Sequence, residues 1–266
     1  MKDDGSAYPY QPSPNRGGRL NHEYLVIHFT AGRSAESSIN WLTNRAAGAS
    51  AHLIVARDGS ITQLVPFARI AWHAGRSAWE NRVGLNDYSL GIELDNAGRL
   101  TYSGGKWRSW FGKDYPDSEV VEATHKFESS PSGWHTFTEQ QIAAALDVAS
   151  LLVERYDLLD VIGHDDIAPG RKQDPGPAFP MLSFRAHVMG RSTREVTRHE
   201  TTTKLNIRSG PGTNNPTIEG SPLPKNTPVL ILQEHGNWRL VDVLQEVNGV
   251  MDLQGWVHSR YLRRLD

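Results

Sequence analysis

Hydrophobic positions along the chain follow two periods, broken by turn residues. Tyr24-Leu25-Val26-Ile27-His28 is apolar at successive positions, the pattern of a strand buried on both faces. Ser34 to Arg45 reads as a short helix around Ile39, Trp41 and Leu42. Ala51-His52-Leu53-Ile54-Val55 and Ser60 to Val65 flank Arg57-Asp58-Gly59. Asp-Gly between two β-rich runs predicts a hairpin. Ser89-Leu90-Gly91-Ile92-Glu93-Leu94 predicts a further strand, with Leu90, Ile92 and Leu94 on one face and Gly91 and Glu93 on the other. Asp95 to Trp134 is rich in Gly, Ser and charge, and reads as mostly loop.

Helical spacing begins after Thr138, which with Gln141 fits a capping box. Ile142, Ala145, Leu146, Ala149, Leu152, Val153 and Tyr156 then recur at that spacing, ending near Asp157. A short strand, Asp160 to His164, runs into the Pro/Gly-rich stretch Ala168 to Pro180, and helical pattern resumes over Met181 to Met189. After about Arg194 the texture is short β-like runs and turn dipeptides, which suggests a small all-β barrel. These elements predict an α/β domain over residues 21–186, a linker over 187–194 and an all-β domain over 195–266. The first 20 residues, with Pro9, Pro12, Pro14, Gly17 and Gly18, read as an extended lead-in and not as a folded element.

Composition narrows the chemistry. The chain has 266 residues, 38% of them hydrophobic, enough to bury a core. A net charge of −2 without a long run of one sign argues against a nucleic-acid binder that relies on a basic surface. The absence of cysteine excludes disulfides, thiol nucleophiles and Cys-ligated metals, so any metal must use His, Asp or Glu. No apolar run approaches the roughly 18 residues of a membrane helix, and no apolar stretch follows Met1 to Gly5 as a signal peptide would. Periplasmic or extracellular work would need a removed signal or another export route; a cytoplasmic location stays open.

His28 and His164 each end an apolar run, and ligand sites in α/β sheets gather at strand ends. Asp174 follows His164 across the Pro/Gly-rich loop. Two imidazoles and one carboxylate suit an open zinc site whose fourth position is left for water. With 11 histidines present, a strand-end histidine is by itself more often structural.

The surrounding words are more specific. Ile27-His28-Phe29-Thr30-Ala31-Gly32, Trp72-His73-Ala74-Gly75, Ser89-Leu90-Gly91-Ile92-Glu93 and Gly163-His164-Asp165-Asp166-Ile167-Ala168-Pro169-Gly170-Arg171-Lys172-Gln173-Asp174-Pro175-Gly176 occur in that order. Over roughly residues 20 to 185 the chain resembles the zinc-dependent N-acetylmuramoyl-L-alanine amidases, which include the T7-type lysozyme, AmpD and the peptidoglycan recognition proteins. The last word is closest to the AmpD-like branch. The resemblance implies a mixed central sheet flanked by helices, the peptidoglycan-amidase fold. It implies one zinc ion on His28, His164 and Asp174, with Glu93 as general base toward the attacking water and Lys172 stabilising the oxyanion. Lys172 could equally hold a substrate carboxylate or neutralise Asp165 or Asp166.

The resemblance also suggests that His73 and Trp72 line the substrate cleft, against a packed histidine holding its loop. Asn86 either binds the stem peptide or makes a turn. His52 is either near the substrate or structural; Ala51 stands before it where T7-type enzymes carry a Tyr, so a catalytic Tyr there is in doubt. The other histidines carry no motif.

Leu205-Asn206-Ile207-Arg208-Ser209-Gly210-Pro211-Gly212, Gly236-Asn237-Trp238, Gly255-Trp256-Val257 and Tyr261-Leu262 resemble a bacterial SH3 domain, with Arg208, Trp238 and Trp256 as anchors. Such a barrel would target cell-wall peptide or pack on the catalytic domain. The implied activity is hydrolysis of the amide between N-acetylmuramic acid and L-Ala, in peptidoglycan or in muropeptides. The alternatives are a receptor that binds peptidoglycan without cutting it, or a zinc peptidase that cuts within the stem. Oligomeric state is not legible.

Overall fold

The Tyr24–Phe29 strand lies between Asp160–Gly163 and Ser89–Leu94, parallel to both. Leu53–Val55 pairs parallel to Ser89–Leu94, and Ile61–Gln63 closes the five-stranded sheet as an antiparallel edge. The sheet is therefore mixed, and the expected Asp58-Gly59 hairpin is the antiparallel part. This computed structural model describes residues 8–190, 199–250 and 253–265, and the chain divides into two units, Met1–Gly190 and Arg191–Asp266.

Alternation sorts the strand side chains. Leu25, Ile27, Leu90, Ile92 and Leu94 meet Ala145, Val148, Ala149 and Leu152 of the Glu139–Tyr156 helix in the main core. Tyr24, Val26 and Ile162 face the other way, toward Ala74, Leu85, Ile167 and Ala168. Because both faces are covered, neither strand could carry a continuous polar face. Thr138 caps the helix by accepting from the Gln141 backbone N–H at 3.1 Å. The other half of a capping box is absent: the buried Gln141 amide donates to the Val55 and Asp95 carbonyls, both at 3.0 Å, and ties the helix to the sheet.

Residues 8–20 are not a loose lead-in. Arg16–Arg19 pairs antiparallel with Arg69–Ala71, Gln11 and Ser13 donate to the backbone of Gln63 and Leu64, and Tyr8 and Leu20 enter the main core. Polar, glycine-rich composition here reflects edge pairing, which uses backbone and needs little apolar side chain. Residues 1–7 of the expected lead-in lie outside the described residues.

The segment read as mostly loop is a second sheet. Arg99–Ser103, Lys106–Arg108, Asp114–Tyr115, Val120–Thr124 and Pro131–His135 form five strands around Ala97, Leu100 and Tyr115. Its first hairpin turns through Gly104 and Gly105, both at positive φ, as a two-residue turn requires. Most of its side chains are exposed, so its hydropathy pattern resembles that of a loop.

The Met181–Val188 helix places Phe184 and Val188 in the main core, so the expected linker at 187 begins inside a helix. Residues 191–194 of that linker, and 195–198 of the next domain, lie outside the described residues. The second unit is a five-stranded sheet of His199–Thr201, Pro228–His235, Trp238–Val243, Gln254–His258 and Leu262–Arg264. Its core is aliphatic, including Leu205, Ile207, Leu223, Val229, Val241 and Val257; Trp238 and Trp256 are half-buried and are not its centre. Arg208 bonds backbone to backbone with Trp256, at 3.0 and 2.8 Å, and its guanidinium donates to the Asn215 carbonyl at 2.7 Å. Among the described residues no helix is long and apolar enough to cross a membrane.

Candidate metal centre

His28 is the penultimate residue of its strand, on the face opposite the Glu139–Tyr156 helix, and His164 begins the turn after Asp160–Gly163 on the neighbouring strand. The Pro/Gly-rich loop returns Asp174 to them, held by the Asp165 N–H donating to the Asp174 carbonyl at 2.7 Å. All three side chains are buried. Their ligand-type atoms lie within 4.8 Å of one another: His28 Nδ1 is 2.9 Å from His164 Nδ1, and Asp174 Oδ2 is 3.0 and 2.8 Å from those nitrogens.

The outer hydrogen bonds decide which nitrogens carry protons. His73 Nε2 faces the Ser89 carbonyl at 3.1 Å, and a carbonyl only accepts, so His73 carries its proton there. Burial, then the neighbouring imidazole of His28, drives the His73 pKa well below the usual value, so the ring is neutral and its Nδ1 is a bare acceptor. That Nδ1 lies 2.9 Å from His28 Nε2, which must therefore donate. Burial and the nearby His164 lower His28 to about 4, so it too is neutral and its Nδ1 is bare. His164 Nε2 faces the Ala74 carbonyl at 3.2 Å, which turns its Nδ1 toward His28 and Asp174. Two imidazole nitrogens and one carboxylate oxygen thus converge on one point. A cation among them would be held by all three, and two imidazoles with one carboxylate suit zinc.

Glu93 occupies the same rung as His28 on the adjacent strand. It is half-buried, and its Oε2 is shielded from solvent without a hydrogen-bond partner among the described residues. Burial first, then the Asp174 charge, pushes its pKa up to about 8, while Lys172 opposes the shift. Lys172 is half-buried within electrostatic reach of Glu93 and His28. The ion pairs at Asp165 and Asp166 are made by Lys126, at 2.9 and 2.5 Å, so the neutralising role weighed for Lys172 falls to another residue.

The remaining expected residues sort differently. His73 is buried with both ring nitrogens engaged, so it orients His28 and does not line a cleft. Its ring rests on Gly91, where a Cβ would come within 2.6 Å of it. Asn86 Oδ1 accepts from the His73 and Ala74 N–H groups at 2.9 and 2.7 Å, fixing that loop rather than reaching for a peptide. His52 is fully buried: Nδ1 accepts from the Gly91 N–H at 3.0 Å and Nε2 faces the Arg69 carbonyl at 2.9 Å, so it is structural. Trp72 alone of this group keeps an exposed side chain, at 39%.

Arg171 and His125 join the surroundings of the site without being singled out by the sequence pattern. Arg171 donates to the Ala74 and Arg76 carbonyls at 2.9 and 2.6 Å and braces the loop that also meets His164. His125 reaches Asp165 at 3.1 Å from the second sheet. Arg171 lies inside the quoted word; His125 carried no sequence signal.

The family described as N-acetylmuramoyl-L-alanine amidase, Amidase_2, matches residues 18–177. The chain belongs to this family. Every residue of the metal centre lies inside the matched span. The chain is 36% identical over 150 residues to the 1,6-anhydro-N-acetylmuramyl-L-alanine amidase AmpD of Citrobacter freundii, covering 56% of this chain and 62% of that one. It is 37% identical over 175 residues to the N-acetylmuramoyl-L-alanine amidase AmiD of Escherichia coli (strain K12), covering 62% of this chain and 53% of that one. The matches thus span less than two thirds of these relatives. A crystal structure of an AmpD derivative superposes with a TM-score of 0.50 at 28% identity, over 70% of this chain and 98% of that one.

Proposed function

We propose that the chain is a zinc-dependent N-acetylmuramoyl-L-alanine amidase, hydrolysing the amide between the lactyl group of muramic acid and L-Ala of the stem peptide. The observation that carries this reading is the convergence of three buried ligand-type atoms, on His28, His164 and Asp174, with Glu93 on the adjoining rung. A zinc ion held there would polarise a carbonyl and acidify water. Glu93 takes a proton from the attacking water and returns it to the leaving amine. Lys172 offers its ammonium to the oxyanion of the tetrahedral intermediate. His73 holds His28 in the tautomer that turns Nδ1 inward.

Within this reading, residues 21–186 carry the chemistry and the second unit, of SH3-like type, holds cell wall. The family match and the names of the relatives support muramyl peptides as substrate.

Mass spectrometry of products tests the proposal. An amidase releases stem peptide beginning at L-Ala. An internal cut within the stem, or no product from zinc-loaded protein, would overturn it. Zinc content provides a second check: His164→Ala should lose the metal, and retained stoichiometric zinc would refute the ligand set.

A further inference from the structure

The second sheet builds a cavity of about 440 Å³ beside the metal centre. Its lining includes Phe29 and Gln173, the chain neighbours of His28 and Asp174, together with Thr101, Ser103 and Trp110. Trp110 is 77% exposed, an unusual setting for the largest apolar side chain. It is nevertheless held in place: its indole N–H donates to the Ala31 carbonyl at 2.8 Å. Ala31 sits at φ 48°, a left-handed conformation costly for a residue with a Cβ. An indole fixed by a strained backbone while its surface stays open is a preorganised stacking platform.

The charges around it select the ligand. Arg99 and Arg108 line the cavity, but Arg99 is paired to Glu128 at 2.9 Å and Arg108 to Asp114 at 2.6 Å. With both guanidiniums neutralised, the cavity is poorly matched to a stem peptide rich in carboxylates. An aromatic platform with hydroxyls beside it suits an uncharged ring that presents C–H groups on its face and hydroxyls at its edge.

We infer that this cavity is a saccharide subsite, which holds an N-acetylhexosamine of the glycan strand next to the muramic acid at the scissile bond. The inference rests on the amidase reading for its place in the substrate. It extends that reading by making glycan length a determinant of specificity. A substrate with one sugar would leave Trp110 uncovered, whereas a disaccharide or a longer strand would cover it.

The test uses the full chain and its Trp110→Ala and Trp110→Phe variants. The binding probe is a tetramer of N-acetylglucosamine, followed by calorimetry. The wild type should bind the tetramer, Trp110→Ala should weaken it on the order of tenfold, and Trp110→Phe should restore part of the loss. In kinetics, Trp110→Ala should raise KM for a disaccharide-linked peptide and leave a monosaccharide muramyl peptide unchanged. No tetramer binding by the wild type, or equal binding by Trp110→Ala, would overturn the subsite. So would a loss of affinity for free stem peptide in place of the tetramer, which would make the cavity a peptide site. Tetramer binding that depends on Trp110 in a protein that cuts no muramyl peptide would refute the amidase reading while supporting the saccharide site.

Discussion

Glu93 and His28 occupy one rung of two adjacent parallel strands, on the face turned away from the long helix. Paired residues in a sheet point to the same side, so this register places a carboxylate beside a metal-type imidazole without help from any loop. Replacing Glu93 by Gln keeps the shape and the register and removes the proton acceptor. Turnover of a muramyl peptide should fall by about 10²–10⁴-fold while zinc content stays near wild type. A rate within a few-fold of wild type would take Glu93 out of the mechanism.

His73 would act on a bound metal only through His28. Removing the acceptor of the His28 Nε2 proton in His73→Ala should weaken zinc binding by about 10–100-fold, read by competition with a chromophoric chelator. Asn at this position carries an oxygen near the place of Nδ1 and should recover part of the affinity. Gly91→Ala offers an independent check, since its Cβ would come within 2.6 Å of the His73 ring and displace it. Unchanged zinc affinity in both His73→Ala and Gly91→Ala would end the positioning role.

His52 sets an acid limit on the metal-free protein. Burial lowers its pKa from 6.5 to about 4 in the folded chain. As pH falls below 6.5 the unfolded chain takes up this proton first, so folding loses stability progressively until about pH 4. The loss from this one group is on the order of 3 kcal/mol for the shift from 6.5 to about 4. Thermal melts of chelated protein across that range should show a falling Tm. In His52→Gln, which has no titrating proton there, the fall should be shallower. Parallel profiles for the two proteins would contradict this account.

The two units have separate cores, one centred on the Tyr24–Phe29 and Ser89–Leu94 strands and the other on aliphatic residues from Leu205 to Val257. A chain ending at Gly190 should therefore fold and keep near-normal turnover on a small soluble muropeptide. On intact sacculi it should slow, because a tethered binding unit raises local substrate concentration. Equal loss on both substrates would mean that the second unit shapes the active cleft.

Much of the first unit was legible from side-chain spacing. The unbroken apolar run at Tyr24 marked a strand covered on both faces, and the alternation at Ser89–Leu94 put Glu93 opposite the core, where the structure places it. The order of the quoted words pointed to His28, His164 and Asp174, which the fold brings together. The second sheet was hidden, because a mostly exposed sheet with Gly-Gly turns has the composition of a loop. The role of His73 was hidden for another reason: a histidine that lines a cleft and one that braces a ligand look the same in sequence.

Which face a side chain takes follows from its own neighbours along the strand, since the backbone repeats every two or 3.6 residues. That is a local property, and the amino-acid order sets it. What each side chain meets there depends on strand register and on where a distant carbonyl ends up. Ser89 and Ala74 set the tautomers of His73 and His164 through backbone oxygens that any residue type would supply. No residue identity encodes that contact, so it came into view only with the chain folded.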